Sequence, residues 1–403
     1  TVESVRVAAS RATFTQSTGI NTHVEGAVFG RGGLGQTATL VVRTSNGGIS
    51  QTAWLEARPA HYIRGFSAVA RQEVEGWELN VTIQTAGPGG QLTAAVQTAD
   101  AASVGGETED GRFEFRIPLH ELESWTPQNP KLYPLQLTLT GPDGAVDRVE
   151  SYFGLRTVER GRYSDSDYES VMLNGSPVYL RGRIDDSTAT APTDEALRGE
   201  IESAKTRGFN FLRIGGTTDP RKLYWADRLG VLLMPELEPG VIERNRNHPS
   251  IIAWFGNVSQ TEALDPARLA VDEPPHSQTD LNSWRLAPES FDTIPAAIEQ
   301  LVGNTYVGSP ANYADGSQQD GAPLLIAAYG SHSAEGSDLS LEFKHLTNLL
   351  RRHKSIQGYA YSGELPQNPG YDALWEGLSA AGLQGPDFVG YLGAPIRTGE
   401  PGE

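Results

Sequence analysis

The chain contains no cysteine. Disulfides, thiolate metal sites, iron–sulfur clusters and cysteine nucleophiles are excluded together. It also lacks an apolar run of about 18 residues, so no segment is suited to cross a bilayer as a helix. Positive charge is scarce: 32 Lys and Arg stand against 50 Asp and Glu, a net charge of −18. Such a chain repels phosphate backbones, which excludes a general nucleic-acid binder. It is repelled by anionic lipid as well, so membrane association is expected only through partners. The eight histidines show no H-E-x-x-H or other paired spacing, and there is no G-x-S-x-G elbow. No metal or cofactor is expected. The first residue is Thr rather than Met, which fits processing and an extracytoplasmic, periplasmic or secreted, location.

What is present is ordinary globular composition over 403 residues, 38% hydrophobic and 20% charged, enough for two or three domains. The first half reads as β. Thr37–Arg43, Trp77–Ile83 and Arg112–Ile117 are rich in β-branched and aromatic residues. Turns such as Ala86-Gly-Pro-Gly-Gly90 and Gly141-Pro-Asp-Gly144 separate such segments at roughly ten-residue spacing, the pattern of antiparallel sandwiches. From about Thr193 strand and helix alternate. Leu197, Ile201 and Ala204 recur at helical spacing between Thr193 as N-cap and Gly208 as stop. The apolar run Phe209–Ile214, a helix over Leu223–Leu229 and the run Val231–Met234 follow; later come a strand at Leu324–Ala327, a helix at Leu339–Arg352 and a strand at Ile356–Tyr361. This alternation predicts a parallel α/β unit. Ala263–Ser290, rich in Pro, Asp, Ser and Gln, reads as a long loop, and the Gly- and Pro-rich end as an irregular tail. Gly30-Arg-Gly-Gly-Leu-Gly35 matches a dinucleotide fingerprint, but a strand follows it, so it is read as a turn.

Eight segments carry a family resemblance. They are Gly47–Glu56, Asn129–Tyr133, Tyr152-Phe-Gly-Leu-Arg156, Leu173–Gly182, Ala191–Leu197, Ala204–Arg213, Tyr224–Gly230 and Arg246-Asn-His-Pro-Ser-Ile-Ile-Ala-Trp254. In this order and spacing they resemble the family 2 glycoside hydrolases, the group of β-galactosidases, β-glucuronidases and β-mannosidases. The resemblance implies a multidomain β plus α/β architecture in four parts. Residues 1–58 would be a truncated jelly-roll region, 59–158 an immunoglobulin-like sandwich, 159–378 a (β/α)8 TIM-type barrel short enough to be incomplete, and 379–403 the tail.

It also implies where the chemistry should be. Retaining glycosidases need two carboxylates about 5–5.5 Å apart, one to donate a proton and one to attack the anomeric carbon. The family's acid/base Glu follows an Asn after the Arg-Asn-His-Pro-Ser stretch; Asn257 is present, but Val258 stands at the Glu position, or Ser259 if the alignment slips by one. The nucleophile position, in Leu324-Leu-Ile-Ala-Ala-Tyr-Gly330, is Ala328. The family's Arg-x-x-His reads Arg213-Ile-Gly-Gly216, without the His. No alkyl side chain supplies a proton or an anionic nucleophile, so the chain is expected to be a pseudoenzyme. Rescue would fall to displaced carboxylates: Glu262, Glu364, Glu236 or Glu238. Arg213, Trp254, Asn257, Tyr329, Tyr361 and Trp375 would line a glycan-binding cleft, the alternative for Trp254 and Arg213 being barrel-core packing. The expected role is a structural or accessory subunit that contacts other protein subunits. The alternative is a carbohydrate-active protein, a glycan binder or a weak glycosidase.

Overall fold

The computed structural model describes residues 59–363 except 60, 75, 87–88, 97–101, 108–109, 164–168, 187–191, 217, 238–240, 257–266, 287–292, 315 and 331–338, together with the backbone of four earlier strands. Those strands are β1 (Val2–Val7), β2 (Ala12–Gln16), β3 (Val24–Val28) and β4 (Leu40–Thr44). β1 pairs antiparallel with β4, and β2 with β3.

Seven strands follow: β5 (Tyr62–Glu73), β6 (Gly76–Ala86), β7 (Gln91–Val96), β8 (Ala102–Glu107), β9 (Arg112–Leu119), β10 (Tyr133–Thr140) and β11 (Val146–Phe153). They form two antiparallel sheets, β5-β6-β9 and β11-β10-β7-β8. Side chains on a strand alternate between faces, and the sequence alternates with them. Trp77, Leu79, Val81 and Ile83 of β6 point inward, as do Tyr133, Leu135, Leu137 and Leu139 of β10. They meet in one core with Leu92, Phe113 and Ile117. Each fully buried side chain of this kind contributes roughly 1.5–3 kcal/mol. A short meander comes next, β12 (Val158–Arg162), β13 (Glu169–Leu173) and β14 (Ser176–Pro177), antiparallel throughout. Its second turn is Asn174-Gly175, both at positive φ (53° and 72°), as a two-residue hairpin of the right twist requires.

The alternating half opens with β15 (Leu180–Asp185), α1 (Asp194–Thr206), β16 (Phe211–Ile214), α2 (Pro220–Leu229), β17 (Leu232–Pro235), α3 (Val241–Asn245) and β18 (Ala253–Phe255). It continues with β19 (Leu269–Val271), β20 (Asn282–Arg285), α4 (Ile294–Asn304), β21 (Leu324–Tyr329), α5 (Leu339–Arg351) and β22 (Ile356–Tyr361). The helix ends are written in the sequence. Thr193 Oγ1 accepts from Ala196 N–H at 3.2 Å to start α1. Asp219 caps α2 ahead of Pro220, and Gly230 ends it in the left-handed region.

Six strands pair in the order β17-β16-β15-β22-β21-β20, all parallel. β18 and β19 form a parallel pair, joined to β17 by the bridges Leu233 to Ile251 and Glu236 to Phe255. Between β19 and β20 the Asp280 N–H donates to Ala270 O, and Ala270 N–H donates to Asp280 Oδ2, each at 2.7 Å. The strands thus follow one another in chain order, and the last, β22, returns to the first, β15. Residues 272–281, between β19 and β20, carry no helix.

The reading of 263–290 as one long loop is corrected here: β19 and β20 lie within it. Both are only three or four residues long. Leu269, Ala270 and Val271 are all buried, so β19 offers no alternation by which to recognise a strand.

The parallel strands have two apolar faces. Phe211, Leu232, Met234, Ala253, Leu325 and Ala360 face the space the strands enclose. Leu212, Leu233, Trp254, Ile326 and Tyr359 face outward, against Ile201, Leu223, Ile298 and Leu350 of the helices.

Candidate functional site at the carboxyl edge of the parallel strands

Because the strands are parallel, all their carboxyl ends lie on one edge. Arg213 is the third residue of β16. Its neighbours Leu212 and Ile214 pack under the helices, so Arg213 points inward. It is buried, and its guanidinium lies 3.7 Å from the centre of the Phe255 ring at the end of β18. Its Nη1 donates to Ala327 O of β21 at 2.8 Å. The same nitrogen is 3.6 Å from Glu273 Oε1, just beyond β19. Glu273 Oε2 in turn accepts from Arg285 Nη2 at 3.2 Å, at the end of β20. Five strands therefore contribute to one charged layer over the apolar interior.

Burial pulls the Arg213 guanidinium below its ordinary range; Glu273 and Glu236 oppose this, and Arg285 adds to it. Glu236 follows β17, where its Oε2 accepts the Gly216 N–H at 2.9 Å. A second charged group closes the β15 end. Lys222 Nζ lies 2.6 Å from Asp185 Oδ2 and 2.7 Å from Glu200 Oε2. Burial lowers Lys222, but the two carboxylates outweigh burial and hold it above the lysine range.

The structure sorts the sequence-predicted residues. Arg213 stands in the charged layer. Ala328 is buried at the carboxyl end of β21, its carbonyl accepting from Leu286 N–H at 2.9 Å. Asn257, Val258, Glu238, Glu262, Glu364 and Trp375 lie outside the described residues. Tyr329 and Tyr361 require a correction: they are buried in the layer between strands and helices rather than lining a cleft, and Trp254 is buried there too, as its reading as a core residue has it. Tyr329 Oη lies 2.7 Å from Thr347 Oγ1 of α5, and the Tyr361 ring packs edge-on against Phe343 of the same helix at 4.9 Å. Strand alternation is the reason, since Trp254 and Phe255 are neighbours and only one can face inward. Glu273, Arg285 and Phe255 were missed. The signal for Glu273 was a short apolar run, Leu269-Ala-Val271, followed at once by Asp272 and Glu273: a buried strand with carboxylates at its carboxyl end.

This layer holds cations, a carboxylate and an aromatic face, a set suited to binding a polar or anionic group. Ala328, next to the Ala327 carbonyl that accepts from Arg213, carries a methyl group and no ionisable side chain.

The family model described as glycosyl hydrolases family 2 matches residues 67–156, most of the seven-stranded sandwich. Among curated relatives, a protein named β-galactosidase 2 from Enterobacter cloacae is 27% identical over 320 residues, 67% of this chain and 29% of its own length. A putative β-glucuronidase from Formosa agariphila is 26% identical over 283 residues, 60% of this chain and 33% of its own. The chain spans about a third of the length of these relatives. Among solved structures, a β-galacturonidase from Eisenbergiella tayi bound to galacturonate superposes with a TM-score of 0.61 at 18% identity, covering 76% of this chain and 65% of that one. A β-glucuronidase from Bacteroides uniformis gives 0.59 at 19% identity, covering 75% of this chain and 46% of that one. At such identities the structures speak for the fold alone. The sandwich match, the relatives that span both halves and the shared fold together make the chain a relative of the family 2 glycosyl hydrolases.

Proposed function

We propose that the chain is a non-catalytic member of this lineage, a structural or accessory subunit that works through protein–protein contacts in a larger, membrane-associated assembly outside the cytoplasm. Its architecture is read as a reduced jelly-roll region, an immunoglobulin-like sandwich and a (β/α)8 barrel with some helices pared away. The observation that carries this reading is Ala328, a buried methyl group at the carboxyl end of the seventh parallel strand. No covalent glycosyl intermediate forms on an alkyl carbon. Val258, at the acid/base position of the family pattern, supports it from the sequence.

Two measurements test it. Aryl β-glycosides, incubated with the purified protein, should turn over no faster than in buffer; turnover above buffer defeats the non-catalytic half. The native protein in gentle extracts should run as a complex with stoichiometric partner chains. A lone species defeats the subunit half.

The charged layer favours a second reading, a carbohydrate-active protein: a non-hydrolytic glycan binder or a weak retaining glycosidase on displaced carboxylates. Saturable sugar binding at the carboxyl edge is expected on that reading. Blank glycan arrays and blank aryl-glycoside panels remove it.

A further inference from the structure

We propose that the mouth of the parallel strands binds a small carboxylate ligand, with Arg213 and Arg285 as its cations and Glu273 as the resident carboxylate that the ligand displaces. The inference does not need the subunit reading; it deepens the glycan reading by naming the charge of the ligand.

Arg213 is a fixed cation. A guanidinium carries five N–H donors, yet Arg213 makes one hydrogen bond among the described residues, to Ala327 O. Its plane is held on the Phe255 ring, so little side-chain freedom remains to be lost on binding. Burying a guanidinium that makes one hydrogen bond among the described residues is costly, and burial accordingly lowers its pKa.

Glu273 is a poor counter-ion for it. Well-formed Arg–carboxylate pairs are bidentate at about 2.7–2.9 Å. Here one oxygen stands 3.6 Å from Arg213 and the other 3.2 Å from Arg285. Glu273 Oε1 is buried and has no hydrogen-bond partner. One carboxylate is stretched between two cations: it bonds Arg285 at 3.2 Å through one oxygen and leaves the oxygen nearer Arg213 without a hydrogen bond. Glu236, the other carboxylate that acts on Arg213, already accepts the Gly216 N–H. Arg285 opens the site to solvent: its side chain is 58% exposed, and among the described residues its ion pair is with Glu273. Arg213 and Arg285 share this edge with Glu273 and Glu236, so what the edge offers an anion is guanidinium N–H donors without partners among the described residues rather than a surplus of positive charge. An incoming carboxylate could bridge the two guanidinia with short bonds that the tethered Glu273 does not reach.

The test is calorimetric titration at constant ionic strength with sodium glucuronate, acetate, sulfate and glucose. Glucuronate and acetate should bind saturably and glucose should not. Glu273→Gln removes the resident charge but keeps its shape, and should tighten glucuronate about tenfold; Glu202→Gln, on exposed α1, removes the same charge elsewhere and should change nothing. Arg285→Ala, at an exposed position that folding tolerates, should weaken binding about tenfold and keeps the proposal testable should Glu273→Gln misfold. Equal binding of glucose overturns the carboxylate site while leaving the glycan reading standing. Equal binding of sulfate overturns carboxylate selectivity. An unchanged affinity in Arg285→Ala, or no binding by any probe, overturns the proposal outright, while the glycan reading is decided separately by the glycan arrays and aryl-glycoside panels.

Discussion

The Tyr152 hydroxyl, on the last strand of the sandwich, donates to Asp227 Oδ2 of α2 at 2.7 Å. Asp227 is fully buried, and other groups converge on it. His248 Nδ1 lies 2.6 Å from the same oxygen, and Ser250 N–H donates to Oδ1 at 2.9 Å. Since a carboxylate has no proton to give, His248 Nδ1 carries the shared one. Trp125 Nε1 adds a bond to the Asp227 carbonyl at 2.8 Å. One buried aspartate thus ties the sandwich to the parallel half. Burial and the Asp227 charge push the Tyr152 phenol far above the tyrosine range, so it remains a donor at any working pH.

Tyr152→Phe should therefore destabilise the protein by about 1–3 kcal/mol, because it strips one donor from a buried carboxylate. Asp227→Ala should cost more, about 3–5 kcal/mol, since it leaves several buried donors unpaired. Urea denaturation followed by tryptophan fluorescence reads both. Equal midpoints for Tyr152→Phe and the wild type would show that the junction is held by other contacts.

Arg156 is a second tie. From just beyond β11 its guanidinium donates to three carbonyls: Pro249 O at 2.7 Å, Ile251 O at 2.6 Å and Ala267 O at 2.9 Å. Arg156→Lys should lose most of this stability, because one ammonium cannot reproduce a planar fork. A drop of about 2–4 kcal/mol is expected in the same denaturation assay. Recovery to within a few tenths of a kcal/mol by Lys would mean that charge alone suffices.

Asp280 gives a pH dependence with a definite sign. Burial raises its pKa, outweighing the Ala270 N–H and the Arg160 charge that oppose the rise. A carboxylate whose folded pKa lies above its unfolded one costs stability as pH rises past the unfolded value, and the cost is complete above the folded value. Asp280→Asn keeps an oxygen for the Ala270 N–H and carries no charge. It should raise the denaturation midpoint at pH 7, and the gain should vanish under acid conditions where Asp280 is protonated in both states. Asp320 runs the other way. Burial raises its pKa, but Arg160, bonded at 3.0 and 2.6 Å, outweighs burial and lowers it. Asp320→Asn should lose stability at pH 7 and approach the wild type in acid. Denaturation series at several pH values should give slopes of opposite sign for the two variants.

Gly330 ends β21 at a φ of 85°. A side-chain carbon there would also run into the Tyr361 ring. Gly330→Ala should cost about 2–4 kcal/mol, from left-handed strain plus overpacking. A melting scan that shows no loss would mean that Tyr361 moves aside freely.

Much of the fold was legible. Thr193, Gly208 and the spacing of Leu197, Ile201 and Ala204 marked α1, and the alternation in β6 marked the sandwich, because caps and periodicity are local properties. Other features were decided by the tertiary structure. β19 and β20 are too short to announce themselves, and β19 is buried throughout; their neighbours in space make them strands. Trp254, Tyr329 and Tyr361 could have faced a ligand or a helix, and helix packing settled the direction. The layer of Arg213, Glu273 and Arg285 joins residues from strands distant in sequence, and an ion pair of that span has no local signature. The sequence by itself set the segments, their order and the side-chain chemistry available. Only the closing of parallel strands around a common interior decided which charges would share it, because burial and charge pairing depend on what the rest of the chain brings alongside.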